Sequence, residues 1–143
     1  MTMERVSPKP RRALAQTDYE RLAEFRYLLR QFLVFSETAA AAEGLAAQQH
    51  QALLAIKAFG DRTITIGALA ERLAIRPHSA VGLLDRLSAG GLIKRRTSTE
   101  DRRQVCVALT AKAERLLARL SASHREELER LAPLLKTLLA HFE

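Results

Sequence analysis

Between Asp61 and Thr110 the hydrophobic period of this chain changes three times within about fifty residues, and that density of punctuation limits the fold more than any other feature. Thr65 stands ahead of an apolar stripe of Leu69, Ala70 and Leu73, which reads as a short capped helix ending near Ile75. Pro77 stops it. Proline is tolerated at a helix start, so residues 76–79 read as a tight turn into a second helix with Ala80, Val81, Leu84 and Leu87 turned inward. Gly90 and Gly91 end that helix. Leu92 and Ile93 open a short strand, LIKRR; the polar loop TSTEDRR follows; then Val105, Val107 and Leu109 alternate with Cys106 and Ala108 as a second strand does. Two short helices joined by a tight turn and followed at once by a basic-tipped hairpin make a winged helix-turn-helix.

Long helical segments flank this centre. Thr17 and Glu20 fit a capping box, after which Leu22, Phe25, Leu29, Phe32 and Ser36 follow at helical spacing to about Ala42, where Gly44 supplies a left-handed stop. A shorter, mostly buried helix over 47–59 carries Leu53, Leu54 and Ile56. Beyond Thr110, which caps it, a stripe of Leu116, Leu120, His124, Leu128, Leu131, Leu135 and Leu138 steps by three or four, with Pro133 inside it. A proline in mid-helix removes a hydrogen bond and strikes the preceding turn, so a break near Ala132 and a short terminal helix to Phe142 are expected. The expected fold is mainly α with a small β-hairpin wing: a flexible basic arm over 1–16, then a single domain over 17–143 with the winged helix-turn-helix at 61–110.

A chain of 143 residues has room for one core, and its longest apolar runs fall far short of the roughly 20 residues that span a bilayer. No stretch of signal-peptide length follows the first charges, and one cysteine, Cys106, builds neither an internal disulfide nor a multi-thiolate metal site, so a cytoplasmic protein is expected. The net charge of +7 is unevenly spread. Residues 60–110 hold 9 basic and 5 acidic side chains, whereas 17–59 hold 4 and 5. A basic centre is the footprint of a segment that meets phosphate, although charge alone describes a solvated face equally well. Spacing favours duplex DNA. The second short helix fits the major groove, and the side away from its packing carries Ser79, Gly82 and Arg86, with Arg76 and His78 at its approach and Arg95 on the first strand. Gly82 costs up to about 1 kcal/mol in mid-helix, which suggests a close approach of backbone to something. Arg102 and Arg103 at the hairpin tip suit the adjacent minor groove.

These residues also resemble the MarR family of transcriptional regulators, from Thr17 to the carboxyl terminus. DRRQVCVALT (101–110) is similar to that family's wing and second strand, and LLDRLSAGGLIKR (83–95) to its recognition helix and first strand. The resemblance implies that a wing arginine reaches the minor groove, oriented by a salt bridge from Asp101 to Arg102 or Arg103. The chain departs from the family pattern at Val81 and Gly82, where a hydroxyl residue and often an arginine are common. The resemblance also implies a homodimer closed by the terminal helices (17–44 and 111–143), a repressor acting on a pseudo-palindromic duplex, and a small aromatic or phenolic ligand that releases it.

The leucine stripe argues for a dimer independently, because Leu120, His124, Leu128, Leu131, Leu135 and Leu138 are more apolar than one small domain needs. Burial of the same stripe within one chain is the alternative. Phe25 and Phe32, with Arg26 and Arg30 nearby in sequence, are candidates for a pocket that attracts an aromatic acid, though aromatics at this spacing are more often plain core. His50, His78 and His141 form neither HExxH nor a Cys/His cluster, so no metal or other cofactor is expected. Nucleophile elbow, phosphate-cradling glycine loop and paired carboxylates are all lacking, which argues against an enzyme. A winged helix that binds only a protein partner is the competing reading.

Overall fold

The computed structural model describes residues 12–60, 64–97 and 105–143; most of the basic arm and the wing-tip residues Asp101, Arg102 and Arg103 therefore lie outside the described residues. The elements run α1 (Gln16–Ala42), α2 (Ala47–Phe59), α3 (Ile66–Leu73), α4 (Pro77–Ala89), β1 (Ile93–Thr97), β2 (Val105–Leu109) and α5 (Ala111–Ala140). This is the mainly helical winged architecture expected from the pattern.

Local chemistry sets the boundaries. α1 begins before the expected Thr17–Glu20 box: the extended backbone of Ala15 lets its N–H donate to the Asp18 carboxylate at 2.8 Å, which leaves Thr17 inside the first turn. Its end is a left-handed cap at Gly44 (φ 77°), with the Leu45 N–H donating to the Ala40 carbonyl at 2.9 Å. Thr65 and Thr110 cap α3 and α5 as expected, their hydroxyls accepting from the N–H groups of Ala68 and Ala113 at 3.0 and 3.2 Å. The turn between α3 and α4 is tighter than expected and comes earlier. It closes at Ala74, in the left-handed region at φ 53°, and Pro77 is already the first residue of α4. Its ring presets the helical φ there and its missing N–H would have had no partner in the first turn.

α5 does not break at Pro133; it runs unbroken from Ala111 to Ala140. Packing outweighs the lost hydrogen bond, because Leu131 (1% exposed) and Leu138 (3%) anchor the helix on both sides of the proline against Leu28 of α1. α1 and α5 lie antiparallel along their length. Asp18 meets His141 at 2.9 Å, Ser36 meets His124 at 2.8 Å, and Arg119 makes two hydrogen bonds to Glu43 at 2.9 and 3.1 Å.

The described residues form two apolar clusters. The larger joins the end of α1 and the start of α5 to α2, α3, α4 and Ile93; the smaller is the Leu28, Leu131 and Leu138 contact, with Phe25, Phe32 and Leu135 packed on it. Consequently Leu120, Leu131 and Leu138, expected at a dimer interface because they would otherwise be exposed, are covered by their own chain. The stripe is satisfied internally by α1 and the winged segment, and of its leucines Leu128 is the one that faces out, at 46% exposure. Val81 and Leu54, expected inside, also face out, since Leu83 and Leu53 occupy the inward positions next to them.

Candidate nucleic-acid interface

Four inward side chains of α4, Ala80, Leu83, Leu84 and Leu87, are buried in the main cluster. Helical geometry then turns the complementary face outward, and Arg76, His78, Ser79, Asp85 and Arg86 are all exposed on it, with Gly82 half-buried between them. The sequence-predicted contact set of Arg76, His78, Ser79, Gly82 and Arg86 is therefore brought together on one surface. A Cβ built at Gly82 would have Arg86 Nη1 as its nearest neighbour, at 3.8 Å, an ordinary contact. Packing among the described residues gives no reason for a glycine at this place.

The end of α4 is fastened to the elements that follow. Lys112 donates to the Gly90 carbonyl at 3.2 Å, and the Thr110 hydroxyl donates to the Gly91 carbonyl at 2.7 Å. β1 then pairs antiparallel with β2, Ile93 opposite Leu109, Arg95 opposite Val107 and Arg96 opposite Cys106. Alternation puts Arg95 on the same side as Val107, toward the helices, where it donates to Asp85 of α4 at 2.6 Å. Arg95, expected to touch DNA directly, is thus tied to α4 and fixes the hairpin against it. The opposite side of the strand carries Lys94 and Arg96, both exposed. Neither was singled out from sequence, although the period of two in LIKRR assigns them that side. Asp101, Arg102 and Arg103 lie outside the described residues.

A cavity of about 490 Å³ opens where α1, α2 and α5 meet, walled by Phe32, Leu54, Leu128 and Ala132 with His50 and His124. The four sequence-predicted pocket residues are not assembled there. Phe32 lines it, but Phe25 packs on the Leu28 cluster, Arg30 lines a separate groove with Tyr27 and Arg130, and Arg26 is exposed. Helical rotation separates them: positions one residue apart, such as 25 and 26, point about 100° away from each other. His50, which sequence reading considered only as a metal ligand, is buried at 5% exposure, and burial followed by the neighbouring His124 holds its imidazole below the usual histidine range. Its place three residues before Leu53 on an apolar helix face was the available signal.

The MarR family model matches residues 43–104, which contain α2, α3, α4 and β1. Over that segment, which is less than half of its length, the chain is similar to the MarR family. The family is one of transcriptional regulators, not of enzymes. A Bacillus subtilis (strain 168) protein described as an uncharacterized HTH-type transcriptional regulator, YfiV, is 37% identical over 73 residues, covering 51% of this chain and 46% of that protein. The chain thus matches less than half the length of that relative. Two solved structures share the fold at low identity: the Staphylococcus aureus MepR–DNA complex (TM-score 0.68, 17% identity, 85% of each chain) and AbsC, a MarR family transcriptional regulator from Streptomyces coelicolor (TM-score 0.70, 17% identity, 84% of this chain and 81% of that one). No helix among the described residues is long and apolar enough to cross a membrane.

Proposed function

We propose that this chain regulates transcription by binding a pseudo-palindromic DNA duplex as a homodimer, with α4 in the major groove. The observation that carries the reading is the outward face of α4: Arg76, His78, Ser79 and Arg86 surround a glycine that the fold itself does not use. An absent side chain there lets the helix backbone come near a base edge or phosphate, and the surrounding groups donate or accept hydrogen bonds. Lys94 and Arg96 of β1 extend the basic surface, and the resemblance to the MarR family assigns minor-groove contact to Arg102 and Arg103 and a salt bridge to Asp101. MepR, whose fold this chain shares, has been solved with DNA.

Exposed apolar side chains support the dimer. Tyr19 and Leu22 at the start of α1 and Leu134, Leu139 and Phe142 at the end of α5 are between 47% and 54% exposed, and the antiparallel pairing of the two helices gathers them at the end remote from the wing. Joining two chains there removes this surface from water and spaces two recognition helices about 34 Å apart for successive major grooves. Occupation of a promoter by such a dimer represses by excluding polymerase. The cavity at the helix junction suits a small aromatic ligand, which releases DNA if it binds the DNA-incompetent spacing of the recognition helices better.

Duplex binding measured against salt concentration tests the reading. Affinity should fall steeply as salt rises, because condensed counterions are released on binding. Binding of a protein partner with no duplex affinity at low salt would favour a protein-binding winged helix instead.

A further inference from the structure

Beside the main core, two imidazoles meet where the winged segment adjoins the long helices. His50 of α2 is the one polar side chain among the described buried residues, and its ring centroid lies 4.9 Å from that of His124 of α5, with the planes inclined at 52°. His124 reaches on to α1. Its Nδ1 is 2.6 Å from the Leu120 carbonyl and its Nε2 is 2.8 Å from the Ser36 hydroxyl, while Phe35 and Phe32 meet its ring edge-on at 5.2 and 5.9 Å. A carbonyl only accepts, so Nδ1 carries the hydrogen, and in the neutral ring Nε2 accepts from Ser36. Side chains from three helices therefore meet around His124.

The charged groups facing this point are Arg125 and Glu129, both on α5, and they pair with each other at 3.9 Å while remaining well exposed. From α1 comes Phe32 and from α2 Leu54, neither of which carries charge. Among the described residues no hydrogen bond joins a carboxylate to either imidazole. A proton added to His50 would thus lie in an apolar wall beside a second imidazole, and the way to solvate it is through the adjoining cavity, by parting α2 from α5.

We propose that His50 and His124 form a proton-sensitive joint, in which α2 packs against α5 while His50 is neutral and moves away from it when His50 takes up a proton. α3 and α4 share the main core with α2, and that core also takes in the end of α1 and the start of α5, so opening the joint at His124 tilts the winged segment about this shared end of the long helices. The sign follows from burial, which with the neighbouring His124 holds His50 below its ordinary value. A solvated histidine takes its proton near pH 6.5, whereas the closed joint resists until the pH is lower, so the open state binds more protons in between. The closed joint is therefore fully favoured above about pH 6.5 and loses that advantage as the pH falls toward the lowered value. Nothing in this requires DNA; where the DNA reading holds, the joint makes recognition-helix spacing respond to acid.

The test uses the full chain with spin labels on Gln51→Cys of α2 and Ala122→Cys of α5 in a Cys106→Ser background, alongside an NMR titration of the unlabelled histidines from pH 8 to 5. The expected result is that His50 titrates below pH 6.5, that the label distance lengthens over the same range, and that His50→Phe holds it short throughout. Titration of His50 at or above pH 6.5, or a distance that stays constant while His50 protonates, overturns the joint. If His50→Phe fails to fold, those two measurements on the histidine-containing chain decide. A distance that opens in a chain with no duplex affinity at any pH supports the joint and counts against the DNA reading.

Discussion

Gly82 and Asp18 show how far single side chains explain themselves. A glycine in mid-helix costs up to about 1 kcal/mol relative to alanine, and at Gly82 a Cβ would meet nothing closer than a guanidinium nitrogen at 3.8 Å. Gly82→Ala is therefore expected to raise the urea midpoint, by up to about 1 kcal/mol in stability, while weakening duplex binding. A loss of stability would mean that the fold itself uses the glycine. Asp18 depends on its surroundings. Its carboxyl is held below the usual range by the Ala15 N–H first and by the hydrogen bond to His141 second, so its stabilising effect is present above about pH 3.9 and is lost as the pH falls through the lowered value. Asp18→Asn should accordingly lose less stability than the parent between pH 5 and pH 2.5, read from urea midpoints. Gly82 was legible in the sequence because a helix interior disfavours glycine wherever it occurs. The bond from Arg95 to Asp85 was not, since it depends on the side of the strand that the hairpin turns toward α4.

Helices and turns divide along the same line. The caps at Thr65 and Thr110, the stop at Gly44 and the alternation of β2 are local devices, and each stands where the sequence places it. Pro133 is local too, yet α5 passes through it, because contacts with α1 made by Leu131 and Leu138 are long-range and no window of sequence contains them. Replacing Pro133 with alanine should restore the hydrogen bond to the carbonyl four residues earlier and remove the ring clash, raising stability by about 1–3 kcal/mol in a denaturant titration. Leu131→Ala should act in the opposite direction, costing about 2–5 kcal/mol, since a fully buried leucine leaves a cavity in the smaller cluster. A near-neutral Leu131→Ala would mean that the α1–α5 contact is not what carries the helix past its proline.

At the scale of the whole molecule, internal burial of Leu120, Leu131 and Leu138 removes them from the interface of the proposed dimer. Sequence reading assigned those leucines to a partner chain because their stripe is visible in one dimension while α1, which covers it, lies about a hundred residues away. In the proposed dimer the exposed set of Tyr19, Leu22, Leu134, Leu139 and Phe142 takes that role, and Leu139→Glu is expected to shift sedimentation toward the monomer while leaving the helical signal intact. Two of the candidate site's parts, the outward face of α4 and the basic hairpin, follow from periodicity alone; the imidazole joint and the helix-junction cavity arise from three helices meeting and have no local signature. The claim on which the account turns is that the α4 face and the hairpin meet DNA together. It is tested most directly by the slope of duplex affinity against salt for the parent chain, for Arg86→Ala and for Arg102→Ala. The account predicts a steep parent slope, a slope flattened by about 1 where a phosphate contact is lost at Arg102, and a narrowed gap between specific and random duplex at Arg86. Salt slopes and sequence preference that stay the same in both variants would contradict it.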